Sequence, residues 1–113
     1  MYREYTVLLP DGRQVNKLFL AGNIVRVNQE DGNRPLTFDM AINRGKDREA
    51  EFVNGIAVRR DAPYYELVKE FKKGQQIFAE VNVVEKTVNG KSYKNYWLNA
   101  FAYGRSPAPK QQQ

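Results

Sequence analysis

The stretch that decides the fold runs from Asp61 to Gly74 and reads Asp-Ala-Pro-Tyr-Tyr-Glu-Leu-Val-Lys-Glu-Phe-Lys-Lys-Gly. It opens with a candidate N-cap and a proline in the first turn, which is a typical start of a helix. Two lysines and a glycine follow its last apolar residue, and these residue types favour the C-terminal end of a helix. Between the two ends, apolar side chains recur at helical spacing. They are Tyr64, Leu67, Val68 and Phe71. We therefore predict an amphipathic helix over Asp61–Gly74.

Three strand patterns precede this helix. Residues 15–27 read as a long strand with Gly22 near its middle, and a glycine inside a strand often marks a bulge or a bend. Residues 36–43 alternate between apolar and polar side chains, which predicts a half-buried strand. Residues 51–58 form a weaker strand pattern. Phe52, Ile56 and Val58 lie in one register of it, and Val53 and Ala57 lie in the other.

Two further strands follow the helix, and one more precedes the first strand. Residues 77–84 and 92–103 alternate in the same way, and Asn89-Gly90 between them is a strong hairpin signal. Residues 1–15 form an extra N-terminal strand and turn, for which we expect either an extension of the sheet or an oligomer contact. Residues 104–113 are low in hydrophobicity and are predicted to be a disordered tail.

This order of elements predicts an all-β protein with an OB-fold. That fold is a five-stranded antiparallel barrel, here with one α-helix between strands 3 and 4 and an extra N-terminal strand. An SH3-like barrel or a sandwich would explain the strands but gives no reason for a helix at this place. At 113 residues the chain suits one domain, which we place at residues 1–103.

The residue types exclude most catalytic chemistry. The chain has no cysteine and no histidine, which removes thiol nucleophiles, imidazole bases and the usual transition-metal ligands. Asp39 and Glu51 are isolated carboxylates, of the kind that is usually solvated. We predict no enzyme activity, no cofactor and no bound metal. No run approaches the roughly 18 apolar residues of a membrane span, so we expect a cytoplasmic protein that does not contact membranes.

The charge balance points to a polyanionic partner. Eighteen Lys and Arg residues against thirteen Asp and Glu give a net charge of +5, which favours nucleic acid. OB barrels bind oligonucleotides on the face of their second and third strands and in loops that here are residues 28–34 and 86–91. Basic residues cluster in and around these loops. They are Arg26, Arg34, Arg44, Lys46, Arg48, Lys86, Lys91 and Lys94.

Aromatic side chains could stack on bases, but some of them belong to the core. We assign Phe38, Tyr64 and Phe71 to the core because they lie on the inner registers of their elements. Four more aromatics fit either environment and are candidates for the binding surface. They are Phe52, Tyr93, Tyr96 and Trp97. Tyr93, beside the hairpin turn, favours stacking, whereas Trp97 fits the core and the binding surface equally well.

Three segments resemble the bacterial-type single-stranded DNA-binding protein family. Residues 16–24, Asn-Lys-Leu-Phe-Leu-Ala-Gly-Asn-Ile, are similar to its N-K-x-x-L-x-G-N-L strand. Residues 37–44 are similar to its F-x-x-A-x-N-R strand, and residues 71–81 to its Y-x-x-K-G-x-x-V-x-V-E-G segment. The resemblance runs from about residue 16 to residue 101. It implies an OB-fold that usually assembles as a homotetramer and coats single strands in replication, recombination and repair.

The resemblance also implies where this chain departs from the family. Phe52 stands where the family has a stacking tryptophan, and three other stacking positions carry Lys46, Val58 and Val88. The chain ends in Lys-Gln-Gln-Gln instead of the family's acidic, Phe-ended tip. We interpret the chain as a divergent member, such as a phage, plasmid or mobile-element version.

These observations lead to one functional prediction and two alternatives. We predict sequence-tolerant binding of single-stranded DNA, by charge more than by stacking. We also expect the chain to form a homodimer or a homotetramer and to contact replication or recombination proteins. The first alternative is a primosome or replication accessory dimer that acts mainly through protein contacts and binds nucleic acid weakly. The second is an oligosaccharide-binding domain, against which the cationic loops argue.

Overall fold

The computed structural model describes residues 2–42 and 49–104. Within these residues the chain forms six strands and one short helix. In chain order they are β1 (Tyr2–Leu8), β2 (Gln14–Asn28), β3 (Leu36–Ile42), β4 (Glu51–Val58), α1 (Tyr65–Lys69), β5 (Gln76–Val88) and β6 (Lys91–Tyr103). Residues 1, 43–48 and 105–113 lie outside the described part, so Gly104 is the one described residue of the tail predicted to be disordered.

Five of the strands close into a barrel, which confirms the predicted OB-fold. β2 pairs with β3, β3 with β4, β4 with β6, β6 with β5, and β5 again with β2. The closing pair β4–β6 is short and parallel, whereas the other four pairs have the predicted antiparallel direction. β1 pairs with the first half of β2 and lies at the edge of the sheet, so the N-terminal segment extends the sheet.

The core fills the barrel from the inner registers of its strands. β3 supplies four side chains that are each 0% exposed, and they are Leu36, Phe38, Met40 and Ile42. Phe71 closes one end of the barrel and meets the Phe38 ring edge-to-face, with centroids 5.5 Å apart. Burying each of these large apolar side chains stabilises the fold by about 1.5–3 kcal/mol.

The helix is shorter than predicted, and a tertiary contact replaces a local one at its C-terminal end. α1 spans five residues, and its N-cap is Tyr64, without a side-chain cap hydrogen bond, instead of the predicted Asp61. The backbone N–H of Gly74 donates to the Ile24 carbonyl of β2 instead of continuing the helix. The predicted apolar stripe is also partly wrong, since Leu67 is 49% exposed and Tyr65 is buried in its place.

An irregularity between β3 and β4 decides which residues of β4 face the core. The pairing shifts by one residue between Phe38 and Met40, opposite Gly55, whose φ is +75°. One extra residue in a strand reverses which side chains face the core, because the side-chain period is two. Val53 and Ile56 are therefore both buried although the sequence places them in opposite registers, and Phe52 is 60% exposed and points outward.

The buried carboxylate Asp39 holds this irregularity together. Its Oδ1 accepts a hydrogen bond from the Gly55 backbone N–H at 2.8 Å, and its Oδ2 accepts one from the Arg26 Nε at 3.1 Å. Only 4% of Asp39 is exposed, so the carboxylate serves the fold and is not the solvated group that we expected.

Gly22 has a different role from the bulge that we predicted there. A Cβ atom at this position would lie 2.3 Å from the Ala41 carbonyl oxygen, so glycine allows β2 and β3 to approach closely. The register shift of β2 lies further along the strand, between Ile24 and Arg26. Beyond it, Val27 packs against the core and Arg26 turns outward.

Candidate nucleic-acid interface

The outer side of the barrel along β4, β6 and β5 carries most of the described candidate residues, and we call it the groove face. Cross-strand partners point to the same side of a sheet, so the register defines this surface. Ala57 of β4 is opposite Trp97 of β6, and Trp97 is opposite Asn82 of β5. Further along the hairpin, Lys86 is opposite Tyr93.

Trp97 lies on this outer side and not in the core. Its neighbour Leu98 is 3% exposed and belongs to the core cluster, so Trp97 points the opposite way. The Trp97 side chain is half-buried on that outer side. The structure therefore answers the question that the sequence left open for this residue.

A groove of about 700 Å³ lies beside Trp97, and we call it the Trp97 groove. One wall is the outer side of β5 and β6, and the other is the segment that leads from β4 into α1. Its lining residues are Arg59, Asp61, Ala62, Pro63, Tyr64, Asn82, Val84, Trp97, Leu98 and Asn99. The lining mixes apolar surface with amide groups and one opposite-charge pair.

Tyr64 fixes the second wall of this groove. Its hydroxyl lies 2.8 Å from both the Leu98 and the Asn99 carbonyl oxygens and can donate to either. Its ring meets Phe101 edge-to-face, with centroids 5.7 Å apart. Burial raises the pKa of the Tyr64 hydroxyl above its usual value, so the group stays a neutral donor at physiological pH. Tyr64 thus packs against the core, as predicted, while its hydroxyl ties the segment before α1 to β6.

The hairpin of β5 and β6 projects beyond the barrel and carries three of the predicted cations. Residues 84–95 are exposed on both faces of the hairpin. Lys86 and Lys91 share the outer side with Tyr93, which is 52% exposed. Lys94 is opposite Glu85 on the other side. Within the described residues none of the three lysines forms an ion pair.

Arg26 and Arg34 lie at the other end of the barrel, around the loop between β2 and β3. The Arg26 side chain is 65% exposed although its Nε is held by Asp39. Arg34 is exposed and is tied back to Asp31 by two backbone hydrogen bonds of 2.9 and 3.1 Å. The structure therefore places both guanidinium groups at the surface, away from the hairpin lysines.

The remaining candidates fall into three groups. Phe52 points outward from β4, as a stacking residue would. Tyr96 packs against the core on the side opposite Trp97, so the structure does not bring it to the groove face. Three candidates lie outside the described residues, and they are Arg44, Lys46 and Arg48.

Sequence reasoning missed Arg59, which lies on the rim of the Trp97 groove. Its Nε is 3.4 Å from the Asp61 carboxylate, and both side chains are largely exposed. The signal was the Arg59-Arg60 pair that directly follows β4. Arg60 instead pairs with Glu30, whose carboxylate also accepts a hydrogen bond from the Tyr65 hydroxyl. That hydrogen bond, together with the Arg60 charge, lowers the pKa of Glu30.

The outer side of β1, β2 and the start of β5 has a different character, and we call it the N-terminal sheet face. The rings of Tyr5 and Phe19 stack with centroids 5.8 Å apart, and Phe78 is 43% exposed nearby on β5. The one ion pair that we find on this described surface joins the Lys17 Nζ to the Glu80 carboxylate at 3.0 Å. Hydrogen bonds from Lys17 and then Asn99 lower the pKa of Glu80.

Two kinds of feature are absent from the described residues. No group of three or more carboxylate, imidazole or thiol side chains in residues 2–42 and 49–104 is placed to hold a metal ion. No helix in the same ranges has the length and hydrophobicity needed to cross a membrane.

The fold is similar to that of a mitochondrial single-stranded DNA binding protein from S. cerevisiae, Rim1. Its form 1 crystal structure superposes with a TM-score of 0.62 at 18% sequence identity, covering 77% of this chain and 92% of Rim1. Two form 2 structures give TM-scores of 0.59 and 0.58 at the same identity. No family model matches the sequence, and no curated protein matches it either. At this identity the likeness shows a shared fold.

Proposed function

We propose that this chain binds single-stranded DNA with little sequence preference. The observation that carries the proposal is the groove face, where unpaired cations and outward aromatic rings share one side of the barrel. Lys86 and Lys91 flank Tyr93 on the hairpin, and Trp97 continues the same side of β6. A strand of unpaired bases offers both the phosphates and the ring faces that such a surface can bind.

Charge supplies most of the affinity in this proposal. Each lysine or arginine that neutralises a phosphate releases counterions, and this contribution does not depend on the base sequence. Stacking adds to it, since one base on one aromatic ring is worth about 1–3 kcal/mol. Among the candidate aromatic residues, Tyr93 and Phe52 are exposed and available for stacking. Because the surface holds few such rings, we expect the phosphate contacts to dominate.

The same proposal covers the broader role of the chain. We propose a non-enzymatic protein that acts in DNA replication, recombination or repair, as a divergent relative of the bacterial-type single-stranded DNA-binding proteins. The similarity of its fold to Rim1 supports this role. Residues 1–103 would act as one domain, and the cytoplasm stays our predicted location.

We also propose that the protein assembles with copies of itself through the N-terminal sheet face. β1 is an edge strand, and an edge strand offers unpaired backbone groups to another chain. The exposed rings of Phe19 and Phe78 add apolar surface beside it. The same face favours our second candidate function, an accessory dimer in primosome assembly or replication that works mainly through protein contacts.

Competition between nucleic acids tests the main proposal. We expect fluorescence anisotropy of a labelled oligo-dT to rise on titration with the protein, and duplex DNA of equal length to compete at least tenfold less well. Equal competition by duplex DNA would show that the protein binds polyanions in general, and the proposal would be wrong. Light scattering separates the second candidate, which predicts a dimer with weak oligo-dT binding.

A further inference from the structure

We propose that the Trp97 groove takes one nucleobase of the bound strand, stacked against the indole. This inference rests on the proposed function and adds a specific base position to it. The position lies beside Ala57, Asn82 and Trp97, where the outer sides of three strands meet the segment that leads into α1.

Apolar side chains line part of the groove and offer surface to a planar ring. Trp97 is half-buried, so its indole is held in place but still lines the groove. Its neighbour on β4 is Ala57, a small side chain that occupies little of the space beside the ring. Val84 and Pro63 contribute further apolar surface to the groove. A flat, weakly hydrated group therefore gains contact area there at little cost in side-chain ordering.

The polar groups of the groove favour an uncharged ring over an anion. The guanidinium of Arg59 and the carboxylate of Asp61 pair at the rim and leave the groove close to neutral. An anion therefore finds no unpaired cation among the described lining residues, whereas an uncharged base needs none.

The groove also continues the surface that binds the strand in our proposal. Tyr93 and Trp97 lie on the same side of β6, four residues apart. At about 3.3 Å per residue this spacing is roughly 13 Å. The hairpin lysines beside Tyr93 would hold the phosphates of the same strand while the base enters the groove.

The single tryptophan of the chain makes this proposal directly measurable. The intact protein is titrated with oligo-dT and with mixed-sequence oligonucleotides, and the Trp97 emission is recorded together with the anisotropy of a label on the oligonucleotide. We expect quenching that saturates at the same midpoint as the anisotropy, and protection of Trp97 from acrylamide in the complex. If anisotropy rises while emission and acrylamide quenching stay unchanged, the groove proposal is overturned and the proposed function stands. If neither signal changes, the proposed function itself fails.

A matched pair of variants on β5 locates the base. Val84→Glu places a carboxylate in the groove, and Thr87→Glu adds the same charge to the other side of the hairpin. Losing one stacked base corresponds to a roughly 5- to 150-fold loss of affinity, which we expect for V84E together with loss of the quenching. T87E changes affinity less than threefold and keeps the quenching. Equal effects of the two variants would overturn the groove assignment, and circular dichroism confirms that both remain folded.

An abasic oligonucleotide provides a test that does not depend on folding of a variant. With the unaltered protein, a strand that lacks all bases keeps its phosphate contacts but offers nothing to stack on Trp97. We expect it to bind without quenching. Full quenching by the abasic strand would overturn the proposal.

Discussion

The groove face and the N-terminal sheet face are two outer surfaces of one barrel, and they differ in the pairing of their lysines. On the groove face Lys86 and Lys91 form no ion pair with a described carboxylate and lie beside an exposed ring. On the N-terminal sheet face Lys17 is neutralised by Glu80, and the neighbouring rings stack on each other. Unpaired lysines can bind a polyanion, whereas a paired lysine beside exposed apolar rings suits a protein contact.

The largest expected effect is the response of DNA binding to salt. If four cations contact phosphates, the affinity for oligo-dT should fall roughly 50-fold between 50 and 200 mM salt. For single strands, each phosphate contact adds about −0.7 to the slope of log K against the logarithm of the salt concentration. Anisotropy titrations across a salt series measure the slope, with the unfolding midpoint of the protein as a control. If the affinity for oligo-dT did not change with salt, unpaired cations would not be what distinguishes the groove face from the N-terminal sheet face.

The next effect comes from removing cations on one face at a time. Lys86→Ala combined with Lys91→Ala should weaken oligo-dT binding roughly 10- to 30-fold at 0.1 M salt and lower the salt slope by about 1.4. The matched control, Arg3→Ala with Arg13→Ala, removes the same charge from β1 and its turn. We expect the control to change affinity less than threefold. Similar losses in both double variants would mean that net charge, and not the groove face, drives binding.

Changing the aromatic rings of the other face should affect assembly and not DNA binding. Phe19→Ser with Phe78→Ser removes apolar surface that we assign to contact between copies of the chain. We expect self-association to weaken roughly tenfold, which corresponds to about 1.4 kcal/mol. Light scattering across a concentration series measures it. An unchanged mass, with an unchanged oligomer midpoint, would remove this face as the contact surface.

The smallest effect concerns the ion pair of Lys17 with Glu80. We expect Glu80→Gln to lower the free energy of unfolding by about 0.5–1 kcal/mol at neutral pH, since partly exposed pairs are worth little. The affinity for oligo-dT should change less than twofold. Denaturant unfolding measures the first quantity and anisotropy the second.

The pH dependence of this variant follows from the lowered pKa of Glu80. A carboxyl group whose pKa is lower in the folded state stabilises the fold above its unfolded pKa, near 4.3, and loses that contribution as pH falls through the folded pKa. The advantage of the unaltered protein over E80Q should therefore be full above about pH 5 and disappear in more acidic solution. An advantage that persists there would show that Glu80 acts by packing and not by charge.

Much of the candidate surface could be predicted from the sequence, but its division into faces could not. The hairpin lysines and Tyr93 were predicted to lie near the turn because Asn89-Gly90 specifies a tight hairpin. Asn89 and Gly90 both have positive φ, as that turn requires. Arg59 was missed because nothing local shows that the segment after β4 returns to β6. The Tyr64 hydroxyl makes that connection, through carbonyls more than thirty residues away along the chain.

The sequence by itself determined the order of the strands, the position of the helix and the inner side of β3, where Phe38 lies. Local periodicity carries that information, because burial of one face requires it. Only the tertiary structure decided which residues face outward beyond an irregularity. A one-residue shift at Gly55 turned Phe52 to the surface, and another between Leu98 and Ala100 turned Phe101 towards the core while Trp97 stayed outside. Each one-residue shift exchanges the inner and outer sides for the residues beyond it. The position of the shift depends on a partner strand that is distant in the sequence.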